Sequence, residues 1–201
     1  AVSASPDVRK RIPALAQLAA GIGDKQVRNR GTIGGSLANS DPAACYPAGV
    51  LALGATVQTD RRTIAADEFF KGLYETALAP AEVITAVRFP VPEKAAYIKF
   101  RQPASRFALV GVCVAKTANG VRVAVTGAGE CAFRVKALED KLNAKFAAES
   151  CDGVSIPTTG LNTDLHGSAE YRAHLIPVLA KRAVSAALMT KPLARDSHSN
   201  D

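Results

Sequence analysis

The sequence predicts an α+β fold, with helices at the start, antiparallel strands through the middle and helices again at the end. Three observations carry this. Residues 5–23 and 42–54 are apolar stretches with helix-starting and helix-stopping residues at their ends. From 55 to 129 the texture changes to short runs rich in β-branched residues, bounded by Pro, Asp and Gly. Residues 134–146 and 168–188 then return to helical spacing. At 201 residues, 48% hydrophobic and 21% charged, the chain can bury a sizeable core.

Taken in order, Ser5-Pro6-Asp7 supplies a cap, a proline at the first helical position and an early acid for the first helix. Pro13 restarts or kinks it, and Gly21 and Gly23 stop it. Asp41-Pro42 opens the second apolar helix and Gly54 closes it. Strands are expected over 55–60, 62–66, 83–91 and 95–102. Residues 107–129 read as a hairpin whose turn, Thr-Ala-Asn-Gly, places Asn119 and Gly120 where positive φ is needed. In the last helix Tyr171, Leu175, Leu179 and Ala183 form one stripe, and Pro177 should bend it. From Thr190 the chain turns polar and is expected to be disordered. There are no internal repeats, and the texture places a boundary near residue 95.

The formal charge of +7 raises nucleic acid, but the basic residues are scattered and no nucleic-acid motif is present. Aromatic residues are 5% and Trp is absent, which argues against a base-stacking surface. An acidic protein partner or a phosphate-bearing cofactor suits the charge at least as well. Cys45, Cys113, Cys131 and Cys151 lack metal-site spacing and read as free thiols in a reducing compartment, with Cys113 packed in an apolar run. No apolar stretch is long enough to span a membrane, and there is no basic-then-apolar leader. The chain starts at Ala1 without Met, which reads as a processed start or a fragment.

The stretch that carries chemistry is Val27 to Pro47, "VRNRGTIGGSLANSDPAACYP". Thr32-Ile33-Gly34-Gly35-Ser36 can wrap an anion. Adjacent glycines let backbone N–H groups converge, and two hydroxyls add donors. It lacks the Gly-Lys-Ser/Thr of a phosphate loop and the spacing of a dinucleotide fingerprint. On residue chemistry alone, an ordinary structural turn and a phosphate cradle both remain open.

The wider stretch, "GIGDKQVRNRGTIGGSLANSDPAACYPAGVLALGA", resembles the FAD-binding medium subunits of molybdenum hydroxylases, the family of carbon monoxide dehydrogenase and xanthine dehydrogenase. The likeness continues through "FFKGLYETALAPAEVITAVRFP" and "YIKFRQPASRFALVGVCVA" to "SAEYRAHLIPVLAKRAV". It implies the second subdomain of a vanillyl-alcohol-oxidase-type FAD domain over 1–94, a C-terminal antiparallel sheet with packed helices over 95–189, and a polar tail over 190–201. It also implies that Thr32, Ile33, Gly34, Gly35 and Ser36 hold the FAD pyrophosphate and its neighbouring atoms. Asn39 falls at a further polar contact, Ile22 at an apolar wall, and Ile84 beside the isoalloxazine ring. Lys99 or Arg101 falls near the flavin edge, where a cation favours the anionic reduced form. Strand packing remains the alternative for Ile84, and a solvated strand face for Lys99 and Arg101. Arg28 and Arg30 read as structural or partner-facing, and none of the three histidines reads as catalytic.

Two departures qualify the resemblance. Where the family reads Asp-Pro-Ala-Ala-Asp, with the second Asp on the cofactor, this chain has Cys45, which brings no carboxylate. The family's first glycine-rich loop, Ala-Gly-Gly-x-Ser, does not occur here. That half of the site is then expected from a separate polypeptide, a piece cut away, or a piece lost from the gene. By resemblance, a large subunit carries molybdopterin, a small subunit carries two [2Fe–2S] clusters, and FAD on this chain passes electrons to an external acceptor. This chain alone is then expected to be inactive. The alternative is a flavin-free scaffold that docks those subunits. The expected compartment is the cytoplasm, or the periplasm if the assembly is exported.

Overall fold

The computed structural model describes residues 1–190. Helix α1 (Pro6–Arg11) starts where the Ser5 hydroxyl accepts the Val8 N–H at 3.4 Å, with Pro6 at its first position. Ile12 leaves the helical region (φ −137°, ψ 66°), and α2 (Pro13–Ala20) restarts at Pro13. Of the restart or kink expected at Pro13 the structure shows the restart, because a proline disfavours helical backbone in the residue before it. Two short helices go beyond the sequence reading. Asp24 caps α3 (Lys25–Arg30) and Thr32 caps α4 (Ile33–Asn39). Helix α5 (Cys45–Ala52) begins three residues later than expected, since the Asp41 carboxylate accepts the Ala43 N–H at 2.8 Å and folds Asp-Pro into a turn.

Strands β1 (Thr56–Thr59) and β2 (Thr63–Ala65) follow, then a short α6 (Ala66–Phe69), β3 (Phe70–Gly72), β4 (Glu75–Thr76) and β5 (Ile84–Arg88). They make an antiparallel sheet in the order β2-β1-β5 and a separate β3-β4 hairpin. Strands β6 (Lys94–Arg101), β7 (Ala108–Thr117), β8 (Gly120–Thr126) and β9 (Phe133–Arg134) then form an antiparallel meander in chain order. In the β7-β8 turn only Gly120 takes positive φ (+108°); Asn119 does not. Helices α7 (Lys136–Ala144) and α8 (Ala169–Met189) are the last among the described residues, α8 running through Pro177.

The meander is buried on both faces, and strand alternation sorts its residues. Val110, Val112 and Val114 of β7 join Val121, Val123 and Val125 of β8 in a core closed by Leu175, Ile176, Leu179 and Ala183 of α8. Ala95, Cys113, Ala115 and Ala124 face the other way, into a core with α2 and α5. Tyr171 departs from the expected stripe: it is 41% exposed and meets Phe100 edge to face at 6.2 Å. All four cysteines are free, and burial pushes the Cys113 thiol up to about 12.

The expected polar tail begins at Thr190, whose carbonyl accepts from the Lys94 ammonium; its remaining residues, 191–201, lie outside the described residues. No helix among the described residues is long and apolar enough to cross a membrane.

Candidate cofactor site

The glycine pair sits inside a helix, not in a turn ahead of one. Thr32 is extended (φ −118°, ψ 156°), and its hydroxyl accepts the Gly35 N–H at 3.0 Å. The N–H groups of Ile33 and Gly34, at the first two helical positions, have no acceptor within the helix. Neither Gly34 nor Gly35 has positive φ, and only Gly35 sits where a side chain would be crowded. A Cβ on Gly35 would lie 2.9 Å from Thr32 Oγ1 and disrupt the cap. A Cβ on Gly34 would come to 3.9 Å of Ile84, which β5 holds against this turn.

Half-buried Ile22, Ile33 and Ile84 all pack on the edge of the core shared by α2 and α5. The Arg28 guanidinium donates to the carbonyls of Ile22 and Gly23 at 2.7 and 3.3 Å, so Arg28 is structural. Asn39 is exposed at the far end of α4, about 9 Å along the helix from Ile33.

A second group gathers where α5 begins. Cys45 is buried at the first position of α5, and the Lys99 ammonium donates to its sulfur at 3.4 Å and to the Arg106 carbonyl at 2.9 Å. The Tyr97 hydroxyl is buried there with no hydrogen-bond partner and packs over Gly111, where no Cβ would fit. Burial first, then the neighbouring Cys45 thiol, pushes this phenol well above its ordinary pKa. Tyr97, Lys99 and Arg101 alternate along β6. That period could have drawn Tyr97 into the sequence reading beside the other two. The Arg101 guanidinium reaches instead toward Gly21, at the end of α2.

The structure thus joins Thr32–Ser36 to Ile84, joins Cys45 to Lys99, and leaves Asn39 apart from both groups. Nearby, Asp24 is held below the usual carboxylate range, chiefly by the Val27 N–H, with Arg106 and Arg28 adding to it. These residues fit an anionic, partly planar cofactor such as FAD. The first turn of α4 offers two unspent backbone donors and the Ile33–Ile84 edge is apolar, while Cys45 supplies no carboxylate where the resemblance implies one on the cofactor.

The sequence pattern described as the FAD binding domain in molybdopterin dehydrogenase matches residues 1–92. The chain is 39% identical over 194 residues to the nicotine 6-hydroxylase medium subunit of Paenarthrobacter nicotinovorans, covering 90% of this chain and 69% of that subunit. It is 34% identical over 199 residues to the carbon monoxide dehydrogenase medium chain of Hydrogenophaga pseudoflava, covering 91% and 69%. The solved carbon monoxide dehydrogenase of that organism superposes with a TM-score of 0.80 at 34% identity, over 93% of this chain and 71% of the matched one. The helix-capped glycine pair, its apolar edge and the meander behind it thus belong to a known lineage, and the chain is a member of the FAD-binding medium subunits of the molybdenum hydroxylase family.

Proposed function

We propose that this chain holds FAD along the first turn of α4 and relays electrons within a multi-subunit oxidoreductase. The observation that carries the reading is the pair of unspent N–H groups on Ile33 and Gly34, set beside Ile84 in a helix that Thr32 caps through the Gly35 N–H. Those N–H groups, with the hydroxyl of Ser36, bind pyrophosphate oxygens. Ile22 and Ile84 exclude water from one side of the planar ring. Lys99 and Arg101 lend positive charge toward its edge, the arrangement that favours a negatively charged reduced flavin. Bound FAD supplies redox chemistry that exchanges electrons singly or in pairs. In the assembly, a large molybdopterin subunit oxidises the substrate and a small [2Fe–2S] subunit delivers the electrons here. Residues 1–94 form the flavin-side unit and 95–189 the sheet-and-helix unit.

Titration of flavin fluorescence with the purified chain tests this. Saturable quenching is expected, and Gly34→Glu, which sets a carboxylate against the two N–H groups, should weaken it at least about tenfold. If neither the chain nor its native complex takes up flavin, the protein is a docking scaffold instead.

A further inference from the structure

The corner where α5 begins holds a positive charge that no carboxylate cancels. The Lys99 ammonium carries three N–H donors, and two are spent, on Cys45 Sγ at 3.4 Å and on the Arg106 carbonyl at 2.9 Å. Among the described residues no Asp or Glu forms an ion pair with Lys99. We propose that Cys45 sets the redox balance of the flavin: by leaving Lys99 unpaired, it biases bound FAD toward the reduced, negatively charged form. The inference rests on the relay reading above, and adds to it the residue that fixes how strongly this chain draws electrons.

The neighbouring groups leave that charge unanswered. Tyr97 shares the Lys99 face of β6, and its hydroxyl is buried beside Cys45 with no hydrogen-bond partner. Burial above all holds this phenol well above its ordinary pKa, so it stays neutral and adds no negative charge. Asp24 is the acid nearby, but it is exposed, its carboxylate accepts the Val27 N–H at 2.9 Å, and the cations it feels are Arg106 and Arg28. Arg101 is a further cation on the same strand. Lys99 itself is half-buried, where solvent and salt screen a charge less than at the open surface.

Position 45 is where a carboxylate would act. Its side chain already lies within 3.4 Å of the Lys99 ammonium, and a carboxylate oxygen stands one bond farther from Cβ than a thiol sulfur does. An Asp there would reach Lys99 as an ion pair and give the Tyr97 hydroxyl the acceptor it lacks. Two donors therefore converge on a residue whose sulfur accepts only weakly. The third Lys99 N–H, and the charge behind it, stay available to the ligand. Cys45 is a positioning residue in this scheme, acting through Lys99.

The test is a dye-equilibrated reductive titration of bound FAD, on the full chain or, if that takes up no flavin alone, on its native complex. Cys45→Asp is expected to lower the flavin midpoint potential by about 30 mV, a tenfold loss of preference for the reduced form. Cys45→Asn, of the same shape without the charge, should move it far less. Lys99→Met should lower it as Cys45→Asp does. Adding Cys45→Asp to Lys99→Met should then change little, because a buried carboxylate without a cation takes up a proton. A potential indifferent to Cys45→Asp, an equal fall with Cys45→Asn, or a full further fall in the Lys99→Met background would overturn the proposal and leave the relay reading standing. So would a Cys45→Asp chain that fails to fold where Cys45→Asn folds, since Lys99 would then not receive a carboxylate there. An unchanged potential in Lys99→Met would overturn it whatever the Cys45 variants do. If neither the chain nor its complex takes up flavin, the relay reading falls and this proposal falls with it.

Discussion

The two faces of the four-stranded meander are built from the same strands and do different work. Toward α8 they present six valines, and α8 answers with Leu175, Ile176 and Leu179. Toward α2 and α5 they present Ala95, Gly111, Cys113, Ala115 and Ala124. Large aliphatic side chains fill volume and supply burial, about 25 cal/mol per Å² of apolar surface. Small ones let a helix come close. That closeness brings Cys45, at the start of α5, within 3.4 Å of the Lys99 ammonium on β6. One face stabilises the fold and the other positions the site.

The largest expected effect breaks the first face. Leu179 is 1% exposed, and Leu179→Ala should destabilise the chain by about 2–5 kcal/mol in denaturant unfolding while leaving FAD affinity intact. Gly111→Ala attacks the second face, where the new Cβ would collide with Tyr97 and press on Thr126. A cost of about 1–3 kcal/mol is expected from overpacking, here accompanied by weaker flavin binding as the Tyr97–Cys45 corner shifts. If Gly111→Ala lowered stability alone, the division of labour would be wrong. Thr32→Ala removes the α4 cap, worth about 1 kcal/mol, and should weaken FAD more than it weakens the fold.

The smallest effect lies away from both faces. The Arg62 guanidinium, the Ala79 N–H and the Thr59 hydroxyl lower the Glu82 carboxyl from 4.5 to about 2. A carboxylate depressed in the folded state contributes stability that is complete above its unfolded pKa and lost as pH falls toward the folded one. Glu82→Gln should therefore lower the thermal unfolding midpoint near neutral pH, with the gap to wild type closing between pH 4.5 and about 2.

The β7-β8 hairpin and α8 were legible because each is long enough for its period to repeat. Helices α3 and α4, six and seven residues long, give periodicity almost nothing to work on. Their caps, Asp24 and Thr32, were visible signals, but the glycines after Thr32 read as a turn until the fold showed them at ordinary negative φ. The flavin-type stretch was legible through resemblance, not through composition. Cys45 and Lys99 lie 54 residues apart, and no local rule pairs them. Phe107 looked like the opening of a hairpin, and Tyr74 belonged to no element; only the tertiary fold sets both on one cavity.

The narrow face of the meander also constrains how this lineage can change. On the α8 side, one aliphatic residue can replace another while the total volume is kept. On the α5 side Ala95, Gly111, Ala115 and Ala124 are already near the minimum, so nearly every substitution at those positions adds bulk. Such a surface works as a ratchet. Descendants that need a different flavin environment must find it in the loops around the site, because the wall behind it has nowhere to go.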